Sequence, residues 1–287
     1  MKADYRSIIK WALIIFLLSP LSYHLFSTTR VDPADVPGNP LDGCYHVYLD
    51  LGTNTGVQIR KLFEPHKFPS ADVLPIFDKY FGPVTGRNIS KVCAVGFEPN
   101  PDHEPNLCFL SSLYNRCGWR NIIHTRTAVA SKSMDTKFAR IDYVDGLYWI
   151  LGVAGRLVDT GVPQNDTTEV KAIRIADYIN NIVATRKIPE SHINASQAAV
   201  VMKLDVEGKE LEIMADLVMS GALKHVDNIH VDWSTDPYSD IASIEKMRKA
   251  IGFITQVAKD KNLSHIADVE DTDDESYASF TGDYPQC

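Results

Sequence analysis

Carboxylates and glycines stand at the ends of three apolar runs: Val47-Tyr-Leu-Asp-Leu-Gly-Thr-Asn-Thr-Gly56, Val92-Cys-Ala-Val-Gly-Phe-Glu-Pro-Asn100 and Val200-Val-Met-Lys-Leu-Asp-Val-Glu-Gly-Lys-Glu210. α/β sheets take this pattern where their strands meet a ligand. In the first run a strand enters a turn with glycines at 52 and 56, so the backbone can approach a ligand where a Cβ would obstruct it. The spacing is Gly-x-x-x-Gly, with Asp50 two residues before it. A dinucleotide site needs Gly-x-Gly-x-x-Gly, whose extra glycine admits a pyrophosphate onto a helix N-terminus. Here that glycine is missing, and Asp50 would repel a pyrophosphate. A cofactor with a cationic end and no phosphate fits better, and S-adenosylmethionine carries an ammonium and a sulfonium. Asp50, Gly52, Thr53, Asn54 and Gly56 are therefore the candidate cofactor loop. Glu98, with Asn100 in the same turn, ends the next strand and is placed to accept hydrogen bonds from ribose hydroxyls. The plainer alternative is an ordinary strand-to-helix turn with Asp50 as a cap.

In the third run Lys203, Asp205 and Glu207 alternate. Lys203 and Asp205 thus share one face of a strand, and Glu207 begins the loop into the next helix. Lys203 either tunes the pKa of a neighbour or makes a strand-edge ion pair with Glu207 or Glu210. His230 reads as a satisfied histidine inside the sheet, and His46, His66 and His124 show no metal-ligand spacing.

These residues are positioned by alternating elements. The pattern predicts strands at Val47–Leu51, Val92–Phe97, Ile122–His124 with Ala128–Val129 after it, Ala199–Leu204 and Asn228–Asp232. It predicts helices at Thr55–Phe63, Pro101–Cys117, Ile175–Val183, Lys209–Ser220 and Ile241–Ile251. Such alternation means βαβ units and a mainly parallel sheet. Phe253–Val257 and Tyr277–Phe280 read as a terminal antiparallel hairpin around a solvated acidic stretch that includes Asp268, Glu270 and Asp271. Two connections are long, Glu64–Ser90 and Arg140–Glu169, and the second carries Tyr148 and Trp149, which either stack on a sugar face or pack.

The trio Leu-Asp-Leu-Gly-Thr-Asn-Thr-Gly, Gly-Phe-Glu-Pro-Asn-Pro and Lys-Leu-Asp-Val-Glu-Gly-Lys-Glu resembles the FkbM-type methyltransferases, a branch of the class I adenosylmethionine-dependent enzymes. The resemblance spans roughly Val47 to Ser234, and its third motif is the most specific. It implies a Rossmann-like sheet of seven strands and methylation of an oxygen nucleophile, often a hydroxyl of a sugar or natural product. It places Asp50, Gly52, Asn54 and Gly56 at the methionine moiety, Glu98 at the ribose and Asp205 beside the acceptor. The chain departs from the pattern after the fifth strand, reading His230-Val-Asp-Trp-Ser234 where relatives often show Glu-x-His.

Methyl transfer needs an acceptor oxygen aligned with the methyl group and a base for its proton. Asp205 or Asp232 can be that base, with Lys203 as a third catalytic candidate. Some sugar O-methyltransferases on this fold hold Mg²⁺ with carboxylates at two adjacent strand ends. Asp205 and Asp232 occupy such ends, Asp236 can supplement them, and oxygen ligands suit the ion. The rival readings are a tethered, non-catalytic binding module on the same fold and an NAD-type oxidoreductase.

The 287 residues carry a net charge of −8, with 45% hydrophobic and 23% charged residues. That composition gives room for one globular domain and argues against nucleic acid as a partner. The segments read as a cytoplasmic tail (residues 1–7), a transmembrane signal-anchor (8–27), a proline-bearing stem (28–43) and the catalytic-sized domain (44–287). Lys2, Arg6 and Lys10 precede the nearly all-apolar run from Trp11 to Phe26, which predicts a type II single-pass protein with its domain in the lumen of the endoplasmic reticulum or Golgi. A cleaved signal peptide is the alternative. Sequons at Asn88, Asn165, Asn194 and Asn262 agree with lumenal exposure. The acceptor is then a small molecule or a glycan. Of the five cysteines, Cys108 with Cys117 and Cys44 with Cys287 are the pairings considered, and Cys93 reads as a buried hydrophobe.

Overall fold

The structure, a computed structural model, describes residues 38–140, 155–157, 167–189, 198–233 and 267–271, with 245, 249 and 252 as isolated positions. In chain order the elements are β1 (His46–Leu51), α1 (Val57–Phe63), α2 (Leu74–Phe81), β2 (Val92–Glu98), α3 (Glu104–Arg116), β3 (Asn121–Thr125), β4 (Thr127–Ala130), β5 (Met134–Arg140), β6 (Gly155–Leu157), β7 (Thr167–Arg174), α4 (Ile175–Tyr178, continued by a π turn over Ile179–Val183), β8 (Val200–Leu204), α5 (Glu210–Ser220), β9 (Asn228–Val231) and β10 (Asp268–Asp271).

Six strands form a wholly parallel sheet in the order β10-β9-β8-β1-β2-β3. Every residue of β1, β2, β8 and β9 is buried, as in parallel sheets covered on both faces. On one face Val47, Leu49, Leu51, Met202 and Leu204 pack with Ile175 of α4 and with Ile213 and Leu217 of α5. On the other, Tyr48, Ala94 and Val201 pack with Ile59 of α1, Phe77 of α2, and Leu110 and Tyr114 of α3. The strand order runs outward from β1 in both directions, so the carboxyl ends of β1 and β8 flank a topological switch point, where such sheets bind ligands.

The remaining strands form a mixed sheet in the order β4-β7-β5-β6, with β4 parallel to β7 and the other pairs antiparallel. It folds over a small core of Ala128, Ala130, Phe138, Val170 and Ala172. β5, β6 and the start of β7 fall at or inside the expected long insertion, whose residues 141–154 and 158–166, with Tyr148 and Trp149, lie outside the described residues.

Several expectations are corrected. The connection Glu64–Ser90 contains α2, because Pro75 sits in its first turn, where proline starts a helix rather than breaking one. Asp268–Asp271 is a strand parallel to β9, not a solvated loop. Its carboxylates have partners there: Asp268 accepts from Tyr80 Oη at 2.8 Å and pairs with Lys79 at 3.2 Å, and Glu270 accepts from Asn228 Nδ2 at 2.8 Å. The hairpin segments Phe253–Val257 and Tyr277–Phe280 lie outside the described residues, as does residues 1–37, including the expected anchor. No helix among the described residues is long and apolar enough to cross a membrane. Of the expected helix Ile241–Ile251, Glu245 and Lys249 are described and helical. The folded unit also takes in Asn39–Gly43, which the sequence assigned to the stem: Leu41 is fully buried, and Lys187 N–H donates to Asp42 Oδ1 at 2.7 Å.

The cysteines pair differently from either expected bridge. Cys44 is disulfide-bonded to Cys93, with a Cα–Cα distance of 5.7 Å, and both are buried. Cys108 is free and exposed on α3, so the expected Cys108–Cys117 loop does not close, although Cys117 is itself disulfide-bonded. Parallel pairing explains the bridge, since Val47 lies opposite Cys93 and brings the chain just before β1 beside the amino end of β2.

Candidate active site

Four polar residues and a glycine of the sheet fall in one register. Gly96, Asp50, Lys203, His230 and Glu270 are successive partners across β2, β1, β8, β9 and β10. In a parallel sheet such residues project from the same face. Gly96 must be small, because a Cβ there would stand 2.6 Å from Thr53 Oγ1 and 3.1 Å from Ile59 Cδ1.

The loop from Gly52 to Gly56 is tied down on two sides. Gly52 and Thr53 donate their N–H groups to the Phe97 carbonyl at 3.1 and 3.0 Å, and Thr53 Oγ1 donates to the Asp50 carbonyl at 2.9 Å. Asn54, with φ 51°, donates its N–H to Glu98 Oε2 at 2.6 Å. Toward β8, Gly52 has φ 85° and lies so close to Asp205 that a Cβ would collide with the Asp205 carbonyl. Asp205 N–H in turn donates to the Leu51 carbonyl at 3.1 Å. Gly52 is therefore demanded by backbone conformation and close approach.

Glu98 is buried and grips two loops at once, since its other oxygen accepts the Asn100 N–H at 2.7 Å. Burial pushes its carboxyl up to about 7, against the pull of the Asn100 and Asn54 N–H groups and of Lys203. Asn100 is buried too; its Oδ1 accepts the Asp102 N–H at 3.0 Å, while its Nδ2 has no hydrogen-bond partner.

Asp50 is the most unusual group. It is wholly buried, and neither carboxyl oxygen has a hydrogen-bond partner. Burial pushes its pKa up to about 7, opposed by Lys203 and reinforced by Asp205. Lying beneath the glycine loop, Asp50 acts on the crevice through its field, and direct contact with a ligand requires the loop to shift.

Lys203 is buried, and its ammonium donates to the Gly52 carbonyl at 3.0 Å and pairs with Asp205 Oδ2 at 2.7 Å. The sequence named Glu207 or Glu210 as the ion-pair partner; the structure pairs Lys203 with Asp205, and the lysine charge also opposes the upward shifts of Asp50 and Glu98. Glu210 instead clamps its own loop, accepting the Val206 N–H at 2.8 Å and the Gly208 N–H at 3.0 Å. Between those residues Glu207 holds a left-handed φ of 58°, an uncommon conformation for a residue with a Cβ. Asp232 follows β9, and its N–H donates to the Leu204 carbonyl at 3.0 Å, so Asp205 and Asp232 do stand at adjacent strand ends. Asp236 lies outside the described residues.

His230 is buried and stacks on Tyr48, with ring centroids 6.0 Å apart and an interplanar angle of 4°, which fits a packed histidine. The sequence reading missed Lys61, which is fully buried in α1 and whose charge is felt at Asp50. Its type suggested surface, but all seven residues of α1 are buried. Among the described residues no group of three or more His, Cys, Asp or Glu side chains is placed to hold a metal ion.

The chain matches no protein-family model, no curated protein and no solved structure.

Proposed function

We propose that this chain is an S-adenosylmethionine-dependent O-methyltransferase with a Rossmann-like methyltransferase fold, acting on a hydroxyl of a glycan or another secretory-pathway substrate. One observation carries the reading: Asp50, Glu98 and Asp205 surround a glycine loop at the switch point of a parallel sheet. When ionised, these carboxylates repel a pyrophosphate and favour a ligand with a cationic end. The residues fit such a cofactor. Asp50 keeps two acceptor oxygens and Asn100 one amide donor without protein partners, and the loop glycines allow close approach.

When bound, adenosylmethionine supplies the electrophilic methyl group. Glu98 holds the loops on either side of the ribose position and offers its remaining lone pairs to the hydroxyls. Asp205, at the crevice and oriented by Lys203, takes the proton of the acceptor hydroxyl, with Asp232 beside it on the next strand. The Cys44–Cys93 bridge supports folding in an oxidising compartment, in keeping with a lumenal domain behind a type II anchor.

The test is calorimetric titration of the chain with S-adenosylhomocysteine, beside an Asp50→Ala variant and an NADH control. Micromolar binding by the wild type, lost in the variant and absent for NADH, is expected. A folded wild type that binds neither ligand would favour the tethered binding module, and binding of NADH alone would favour an oxidoreductase.

A further inference from the structure

Asp205 and Asp232 stand where two carboxylates on adjacent strands can bridge a divalent ion, yet the position beside Asp205 is already taken. Lys203 Nζ is 2.7 Å from Asp205 Oδ2 and 3.0 Å from the Gly52 carbonyl. A magnesium ion on that oxygen would sit about 2.1 Å from it, inside the volume of the ammonium and against its charge. The lysine is not a mobile surface cation that could swing aside. It is buried, it projects from the centre of the sheet, and the β8 ladder holds its backbone between Asp50 and His230. Its charge is also felt by Asp50 and by Glu98, so displacing it would leave three carboxylates without their shared cation.

We propose that Lys203 is the resident cation of this crevice: its ammonium occupies the place of a divalent metal, making the chemistry at Asp205 independent of one. The inference rests on the methyltransferase reading for its chemistry and on geometry alone for its claim about the cation. In the transfer the acceptor O–H proton passes to Asp205. The new O–C bond forms as the C–S bond breaks, and the sulfonium leaves as a neutral thioether. As the proton leaves and before the O–C bond is complete, the negative charge that develops on the acceptor oxygen meets the fixed ammonium, the role a Lewis-acidic ion would otherwise fill. Lys203 also acts as a positioning residue, since it fixes the orientation of Asp205 and ties that carboxylate to the cofactor loop at Gly52.

The experiment titrates the EDTA-treated chain with Mn²⁺ alone, followed by electron paramagnetic resonance, for wild type, Lys203→Gln and Asp205→Asn. Glutamine can still donate to the Gly52 carbonyl but carries no charge. The wild type is expected to show no Mn²⁺ site that Asp205→Asn removes, and Lys203→Gln to gain at least about tenfold in Mn²⁺ affinity as Asp205 is uncovered. A wild-type Mn²⁺ site abolished by Asp205→Asn overturns the proposal, and so does a folded Lys203→Gln variant whose Mn²⁺ affinity is unchanged. Should Lys203→Gln fail to fold, the wild-type and Asp205→Asn comparison still decides. In a second arm, S-adenosylhomocysteine affinity is expected to be equal in EDTA and in Mg²⁺, and a fall of more than tenfold in EDTA counts against the proposal. Absence of S-adenosylhomocysteine binding under both conditions sinks the methyltransferase reading and leaves the Mn²⁺ result to be read by itself.

Discussion

Asp50 and Lys203 are direct partners across the β1–β8 ladder, yet the lysine ammonium is bound to the Gly52 carbonyl and to Asp205, and both Asp50 oxygens stay without a hydrogen-bond partner. A carboxyl sealed in this way resists ionisation, and burial holds its pKa at about 7. Local order that works against stability in this manner is a feature of ligand sites. Glu98 is likewise pushed to about 7 by burial, with the charge of Asp50 as a smaller cause acting the same way.

Proton linkage follows with a definite sign. Both carboxyls have folded pKa values above their unfolded ones, so the folded chain binds more protons than the unfolded chain between about pH 4 and pH 7. Their contribution to stability is fully present below pH 4 and is lost as pH rises to about 7. An ammonium end placed near them favours the ionised carboxyls, so S-adenosylhomocysteine, which carries one, is expected to bind more tightly at pH 8 than at pH 6 and to release protons on binding near pH 6.5. Calorimetry in two buffers of different ionisation enthalpy measures that release. Proton uptake, or affinity that is flat across this range, would contradict the assignment.

Replacing Asp50 with asparagine removes the group that must ionise and keeps its shape. Asp50→Asn should therefore raise the thermal midpoint of the free chain at pH 8 by about 2–5 °C, and much less at pH 5 where the native carboxyl is protonated. The same variant should lose at least about tenfold in S-adenosylhomocysteine affinity at pH 8. Scanning calorimetry at the two pH values separates the effects. A variant that is less stable at pH 8 would make Asp50 a structural residue.

Much of this arrangement could be read from the sequence. β1, β2, β8 and β9 are buried on both faces and so appear as apolar runs, and three of the polar residues that interrupt them (Asp50, Glu98 and Lys203) are those of the site. Features that depend on distant partners were hidden. The acidic run at Asp268 looks like a loop until Lys79, Tyr80 and Asn228 are brought to it by α2 and β9. In α1, Lys61 is buried only because tertiary packing encloses the whole helix. The alternation in β7, with Val170 and Ala172 buried and Glu169 and Lys171 exposed, was passed over where the expected insertion Arg140–Glu169 ends. The Asp205 partner of Lys203 was missed in favour of Glu207 or Glu210 because the sequence does not show which way a lysine stem turns at a strand end.

The two loop glycines should differ sharply in tolerance. At Gly52 a Cβ would collide with the backbone carbonyl of Asp205, which the β1–β8 ladder holds in place, and φ is 85°. At Gly56 φ is 91°, but the obstructing atom, 2.6 Å away, is a side-chain methyl of Leu110 that can rotate. Gly52→Ala is expected to destabilise the chain by about 3 kcal/mol or more, and Gly56→Ala by about 1–2 kcal/mol. Urea unfolding of both variants checks the order, and equal losses would mean that the Gly52–Asp205 contact relaxes easily.

The Cys44–Cys93 bridge closes a loop with a sequence separation of 49, which holds the whole β1–α1–α2 segment against β2. Closing a loop of that length in the unfolded chain removes conformational entropy equivalent to about 4 kcal/mol. Neither cysteine is exposed, so the native bridge should resist reduction until the chain opens. Two results are expected for Cys93→Ala: a loss of roughly 2–4 kcal/mol in urea unfolding under non-reducing conditions, and much less sensitivity to added dithiothreitol than the wild type. The rate of wild-type reduction should follow the rate of global or local opening, measured by thiol labelling across a urea series. Rapid reduction in the absence of denaturant would show instead that the amino end of β1 opens independently of the sheet, and would remove the bridge as a determinant of the fold around the site.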